Sequence, residues 1–141
     1  MLPRETDDRI VGLLSQNADV SYREMARRLR LNESTVRKRV IALRKRGIIR
    51  RFLVDVDAEK LGYKSRVMLG IDVDSSKILE VGKALSSMQD VRMLFNTSGG
   101  HDFHAVVWSR DREAFAQLLN KISSAEGVLK VTPSFMVARL K

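Results

Sequence analysis

Arginine and lysine crowd one stretch of this chain. Residues 21–51 carry twelve of them (Arg23, Arg27, Arg28, Arg30, Arg37, Lys38, Arg39, Arg44, Lys45, Arg46, Arg50 and Arg51) against two acids, Glu24 and Glu33. The stretch is net +10 in a chain whose total is +9, so the other 110 residues sum to −1. A merely solvated basic surface would intersperse acids for ion pairing, and here they are largely missing. The chemistry such a patch can do is to neutralise a polyanion, releasing the counterions held by its phosphates. A second cluster, His101, Asp102 and His104, has the residue types of a metal or acid–base site. On a strand, however, positions 101 and 104 point to opposite faces and cannot easily share one ligand.

The basic residues need helices to aim them. Thr6-Asp7-Asp8 reads as a helix start, with a capping hydroxyl and two acids where the dipole favours negative charge. Ile10, Leu13 and Leu14 follow at helical spacing, and Asn17-Ala18-Asp19 ends that helix. Ser21-Tyr22-Arg23-Glu24 is a capping box. Tyr22, Met25, Ala26 and Leu29 then make the apolar stripe of a short second helix that ends near Leu29 or Arg30. Asn32 is placed to cap a third helix, with Glu33 in its first turn and Gly47 as the residue just past its end. Val36, Val40 and Leu43 form its apolar face, and Ser34, Arg37, Lys38, Ile41 and Lys45 the opposite one.

Two short helices separated by about three residues, the second basic on its free side, are a helix-turn-helix, whose second helix enters the major groove of duplex DNA. Ser34, Thr35, Arg37 and Lys38 are placed to meet base edges: Arg or Lys on guanine, a hydroxyl on several acceptors, the Thr methyl on thymine. Ser21, Tyr22, Arg23, Arg44, Lys45 and Arg46 are expected on phosphates, where they set orientation rather than sequence.

Ile48–Val56 is rich in branched residues without Pro or Gly and reads as a strand, followed by a turn at 57–62. We expect a DNA-binding domain over 1–50, a hinge strand and linker over 51–64, and a second domain over 65–141. That second domain alternates strands and helices. Val67, Leu69, Ile71 and Val73 have period two; Ser75 or Ser76 caps a helix with Ile78, Leu79, Val81, Leu85 and Met88. Val91, Met93 and Phe95 alternate again, Asn96–Gly100 turns the chain, and Phe103, Ala105 and Val107 continue. Asp111 starts a helix with Phe115, Leu118, Leu119 and Ile122, and Val131, Phe135 and Val137 fall in a last strand. The order β-α-β-β-α-β is the ferredoxin-like unit, so the fold class is α+β. A shift of 37 residues overlays Leu85-Ser86-Ser87 on Ile122-Ser123-Ser124, Val91 on Val128 and Asp74 on Asp111, as two β-α-β halves would. One sheet face, with Val67, Leu69, Ile71, Phe103, Ala105 and Val107, should lie under the helices. The other, with Met68, Leu94, Val106, Trp108 and Met136, is expected to pair with an identical chain, because an apolar face of that size marks an interface. A base-stacking RNA face would need more aromatics than Trp108.

The arrangement SYREMARRLRLNESTVRKRVIALRKRGII, a hinge strand, then β-α-β-β-α-β with a GGHDF turn, resembles the Lrp/AsnC (feast/famine) regulators over essentially the whole chain. The resemblance implies a transcription regulator that binds promoters, forms homodimers through its C-terminal domain, often assembles into octamers, and often binds an amino-acid effector between dimers. It also implies an effector site lined by the turn Gly100-His101-Asp102-Phe103, in which glycine lets the backbone approach closely and Asp102 accepts an α-ammonium. Hydroxyls of the last strand, here Thr132 and Ser134, form one wall, and Lys77 is a further candidate. His101 and Pro133 depart from the family's usual residues.

Other classes are narrowed by what the chain holds. With no cysteine there is no disulfide or Cys-based zinc site. The 44% of apolar residues is enough for packed cores, and no run approaches a membrane span. No HExxH, GxxxxGK[ST] or GxSxG occurs, so neither an enzyme, a cofactor nor a metal is expected. A cytoplasmic protein is expected, with double-stranded DNA, a second copy of itself and a small-molecule effector as partners. An architectural DNA-coating protein with little sequence preference is the alternative, and a small ferredoxin-like metal-dependent enzyme a third.

Overall fold

In the computed structural model, which describes residues 3–138, the chain divides into two compact units that meet at Val56/Asp57. The first holds α1 (Pro3–Gln16), α2 (Tyr22–Leu29) and α3 (Glu33–Lys45). Ile10, Met25, Leu29, Val36, Val40 and Leu43 are 4% exposed or less and form its core. At about 1.5–3 kcal/mol for each large apolar side chain removed from water, these few residues carry most of what holds three short helices together.

Local chemistry sets the ends of the helices. Ser21 caps α2 as expected, its hydroxyl accepting the Glu24 N–H at 3.1 Å. The reciprocal half of the box is absent, because the Glu24 carboxylate is taken by Arg27 and Arg28. Asn32 occupies the N-cap position of α3 but its side chain makes no capping bond. α3 closes with Gly47 at φ 71°, its N–H on the Arg44 carbonyl and that of Ile48 on Leu43, the Schellman pattern. α2 ends with the same pattern: Arg30 bonds to Arg27 and Leu31 to Ala26. Here the left-handed residue is Arg30, at φ 55°.

Two expectations for this unit change. α1 begins at Pro3, a residue suited to the first helical turn, so Thr6 and Asp7 lie inside the helix rather than capping it. Thr6 is buried, and Asp7 ties α1 to α3 by ion pairs with Arg39 at 2.9 Å and Arg46 at 3.5 Å. Ile48–Val56 forms no strand. Its branched residues favour extended backbone, but a strand also needs a neighbour to bond with, and none lies alongside it among the described residues.

The second unit contains β1 (Ser65–Val73), a single 3₁₀ turn at Ser75–Lys77, α4 (Ile78–Ser86), β2 (Val91–Asn96), β3 (Phe103–Ser109), α5 (Arg112–Ser123) and β4 (Val128–Phe135). All pairings are antiparallel and the strand order is β2-β3-β1-β4, the ferredoxin-like arrangement. Val67, Leu69, Ile71, Ala105 and Val107 face Leu85 of α4 and Ile122 of α5 in a fully buried core. The 37-residue repeat falls on equivalent places. Asp74 and Asp111 are both N-caps, Leu85 and Ile122 are both fully buried, and Val91 and Val128 both open strands. Asp74 thus caps the 3₁₀ turn that leads into α4, and neither Ser75 nor Ser76 caps the helix, whose N-cap position is Lys77 without a side-chain bond.

The sheet's other face differs from expectation in one strand. Leu94 pairs with Ala105 and packs into the core, whereas Met93 opposite Val106 and Phe95 opposite His104 point outward. A register shift between Val91 and Met93 reverses which residues face in, as an inserted bulge residue must. The outward face therefore carries Met68, Met93, Phe95, Val106, Trp108 and Met136, and Leu94 leaves it.

Candidate nucleic-acid interface and effector site

Burial of Val36, Val40 and Leu43 turns the opposite side of α3 to solvent. Ser34, Arg37, Lys38, Ile41 and Lys45 are all exposed and Thr35 is half-buried. The structure thus gathers the expected base-reading residues on one free helical surface. Arg37 is held there by two neighbours. Its guanidinium carbon sits 5.1 Å from the centre of the Tyr22 ring, and Nη2 lies 3.6 Å from the Glu33 carboxylate one turn earlier. Lys38 and Lys45 make no ion pair among the described residues. Of the residues expected on phosphates, Ser21 and Arg23 are exposed at the start of α2. Arg44 lies over the Phe52 ring at 6.0 Å, and Arg46 is shared with Asp7. Glu24, the one acid of α2, has its carboxyl lowered from 4.5 to about 2 by hydrogen bonds from Arg27 and then Arg28. Its charge is spent on the helix's own arginines, away from the basic face of α3.

The second unit gathers polar groups on its outward sheet face, around the turn between β2 and β3. Thr97 N–H and the Asn96 amide both donate to the Asp102 carbonyl at 2.9 Å, and Thr97 Oγ1 donates to the His101 carbonyl at 2.8 Å. The positive φ of this turn belongs to Gly99, at 143°, rather than to Gly100. Asp102 uses Oδ2 to accept the Val73 N–H at 2.9 Å, beside the register shift of β1. One of its oxygens therefore serves the backbone. His101 folds over the sheet: its ring covers Gly70 so closely that a Cβ there would collide with it, and Nδ1 lies 2.7 Å from Asp72 Oδ1. The parity argument that separated the histidines fails, because His101 precedes β3 and strand alternation does not govern it. Its ring meets His104 edge-on at 5.5 Å.

Thr132 pairs with Gly70 and Ser134 with Met68, so both share the outward face with His101. The Thr132 hydroxyl oxygen is buried and has no hydrogen-bond partner. Such an orphan costs about 1–3 kcal/mol, and the Ser109 hydroxyl, on the core side of the sheet, is a second one among the described residues. Lys77 does not join this group through a hydrogen bond. Its ammonium is held by Glu80 at 3.0 Å and Glu126 at 3.2 Å, which raise its pKa. Trp108 is partly covered within its own unit by Tyr63, at 5.3 Å between rings, and by Arg92, at 4.9 Å, which also donates to the Tyr63 hydroxyl. Asp72, Thr97, Gly70 and Tyr63 were not singled out from sequence. Gly70 alone had a readable signal, a lone glycine inside an apolar strand, which marks close approach by another group.

A helix-turn-helix with a cationic free face, followed by a ferredoxin-like unit, is the architecture of a DNA-binding regulator with a second, separate domain. Comparison with known proteins places it. Residues 3–50 match the winged helix-turn-helix DNA-binding family and residues 66–141 the Lrp/AsnC ligand binding domain. The HTH-type transcriptional regulator LrpA of Pyrococcus horikoshii is 38% identical over 97% of this chain and 98% of that protein. In fold, E. coli AsnC is similar, with a TM-score of 0.80 at 24% identity over 97% of this chain and 93% of that one. So is a transcriptional regulator of Neisseria meningitidis solved as its L-Met complex, with a TM-score of 0.84 at 22% identity over 96% and 90%. The chain belongs to the Lrp/AsnC family of transcription regulators, and it is a regulator rather than an enzyme.

Proposed function

We propose that two copies of this chain present their α3 helices to successive major grooves, about 34 Å apart on one side of the duplex, and that an amino acid or similar metabolite controls occupancy. Ser34, Thr35, Arg37 and Lys38 read bases; Ser21, Arg23, Arg44, Lys45 and Arg46 hold phosphates. The observation that carries this is the free face of α3, where five exposed residues able to contact DNA stand opposite two buried valines and a buried leucine. The test is the ratio of affinity for a selected operator to affinity for random duplex. A sequence-reading regulator gives about 10³ or more. A ratio near one makes the protein an architectural coat.

Pairing of copies is supported by the apolar residues left open on the outward sheet face: Met68, Met93, Phe95 and Met136 are 38–55% exposed, and apolar side chains grouped on one face are what an interface covers. Octamers are the higher assembly in view. Phe95→Asp is the sharper probe than Trp108→Asp, since Trp108 also packs against Tyr63 and Arg92. Phe95→Asp should sediment as monomer.

The effector reading is supported by Thr132 and Ser134 sharing the outward face of the sheet with His101, whose ring lies over Gly70, the β1 partner of Thr132; Gly100 and Asp102 of the adjoining turn complete the proposed site. The Neisseria relative's L-Met complex suggests an amino acid as the ligand class. Screening the twenty amino acids by thermal shift tests it, because a ligand of the folded state raises its melting temperature. If none does, and none changes DNA binding, the amino-acid reading fails. The protein would act in the cytoplasm; no helix among the described residues is long and apolar enough to cross a membrane.

A further inference from the structure

Tyr22 was expected to touch a phosphate, but its surroundings suggest another task. It is the first residue of α2, its backbone fixed by the Ser21 cap. Its ring is half-buried against the core formed by α1, α2 and α3. It is therefore a rigid platform, and the group standing on it is the Arg37 guanidinium, 5.1 Å from the ring centre. Glu33 approaches the same guanidinium from one helical turn away. Arg37 is thus steered by two elements, whereas Lys38 beside it has no ion-pair partner among the described residues. An unrestrained arginine loses much rotamer freedom when it grips a base, and less is lost if it is already held. Contact with a ring also engages the guanidinium's face rather than its N–H donors; Glu33, 3.6 Å from Nη2, is beyond hydrogen-bond length and yields that edge to the O6 and N7 of guanine.

We propose that Tyr22 is a positioning residue for sequence reading: it holds Arg37 ready for one guanine of the operator and makes no phosphate contact of its own. The proposal rests on the reading that α3 lies in the major groove, and the experiment separates the two.

A double-mutant cycle on the full-length protein tests it. The guanine read by Arg37 is first identified as the position whose replacement stops mattering in Arg37→Ala. Discrimination at that position is then measured for each variant, with affinity for random duplex and its salt slope alongside. Tyr22→Leu should lower discrimination about 2- to 5-fold, the worth of an exposed cation–π contact. It should leave random-duplex affinity and the salt slope unchanged, and have no effect in an Arg37→Ala background. Tyr22→Phe should match the unsubstituted protein. If Tyr22→Leu melts, phenylalanine and pentafluorophenylalanine are compared at position 22, since the fluorinated ring keeps the shape and loses the attraction for a cation. Weakening of every duplex by Tyr22→Phe would show a hydroxyl on phosphate and overturn the proposal. So would unchanged discrimination in the ring variants while Arg37→Ala relaxes it. If Arg37→Ala relaxes no position at all, the placement of α3 fails as well.

Discussion

The two units finish their surfaces differently. In the helix-turn-helix unit each apolar residue of α3 is buried or faces the basic surface, and the cations project from a helix whose opposite side is locked. In the sheet unit the helix-covered face is as tightly filled, with five strand residues fully buried. Its other face instead keeps exposed methionines, an exposed phenylalanine and a buried hydroxyl without a partner. The first surface is cationic and suits a polyanion; the second is the one on which the proposed pairing and effector binding draw. The lesson is that open polar and apolar positions say more about function than well-packed ones.

Substitutions at filled and open positions should therefore behave in opposite ways. The largest effect is expected from the core of the first unit. Leu43→Ala, at a side chain 1% exposed, should cost about 2–5 kcal/mol in urea unfolding; less than 1 kcal/mol would mean that α3 is not anchored as described. Next, Lys45→Ala should weaken binding to all duplexes alike and lower the salt slope by about one. A change confined to one operator base would move Lys45 from phosphate to base reading. Arg30→Gly should stabilise the first unit by about 0.5–1 kcal/mol, because glycine adopts the left-handed turn without the side-chain penalty. In the second unit Thr132→Val should be neutral or mildly stabilising, because it removes a hydroxyl that bonds to nothing, while abolishing any thermal shift caused by the effector. A Thr132→Val protein that still responds fully would displace the proposed site.

The smallest effect is one of pH. The Glu24 carboxyl is held near 2 against an ordinary 4.5, so its contribution to stability is fully present above about pH 5. It is lost progressively as pH falls toward 2. Unfolding curves of Glu24→Gln and the unsubstituted protein should differ at pH 6 and converge near pH 2.

How much was legible in the sequence follows the range of the interaction that decides each feature. The Ser21 cap, the buried stripe of α3, the Gly47 stop and the Asp111 cap depend on residues within one or two turns, and their spacing can be read directly. The start of α1 is not legible in this way, because the acid that looks like a capping partner, Asp7, answers to Arg39, 32 residues away. Leu94 faces inward, against the alternation its sequence suggests, because a register shift two residues earlier reverses strand parity, and bulges leave little trace in an apolar run. The 48–56 segment has strand propensity without a strand to pair with. At the proposed effector site, the glycine turn and the two hydroxyls of β4 can be picked out from residue type and spacing. Asp72 and the fold of His101 over Gly70 cannot, since they join β1 to a turn 29 residues on.

The most direct test of the central claim is methylation interference on the selected operator. Guanine N7 lies in the major groove and adenine N3 in the minor. We expect N7-methylguanine to block binding in two clusters one helical turn apart, and one guanine in each to lose that effect in Arg37→Ala. Interference from N3-methyladenine alone would mean that the cationic face of α3 does not lie in the major groove.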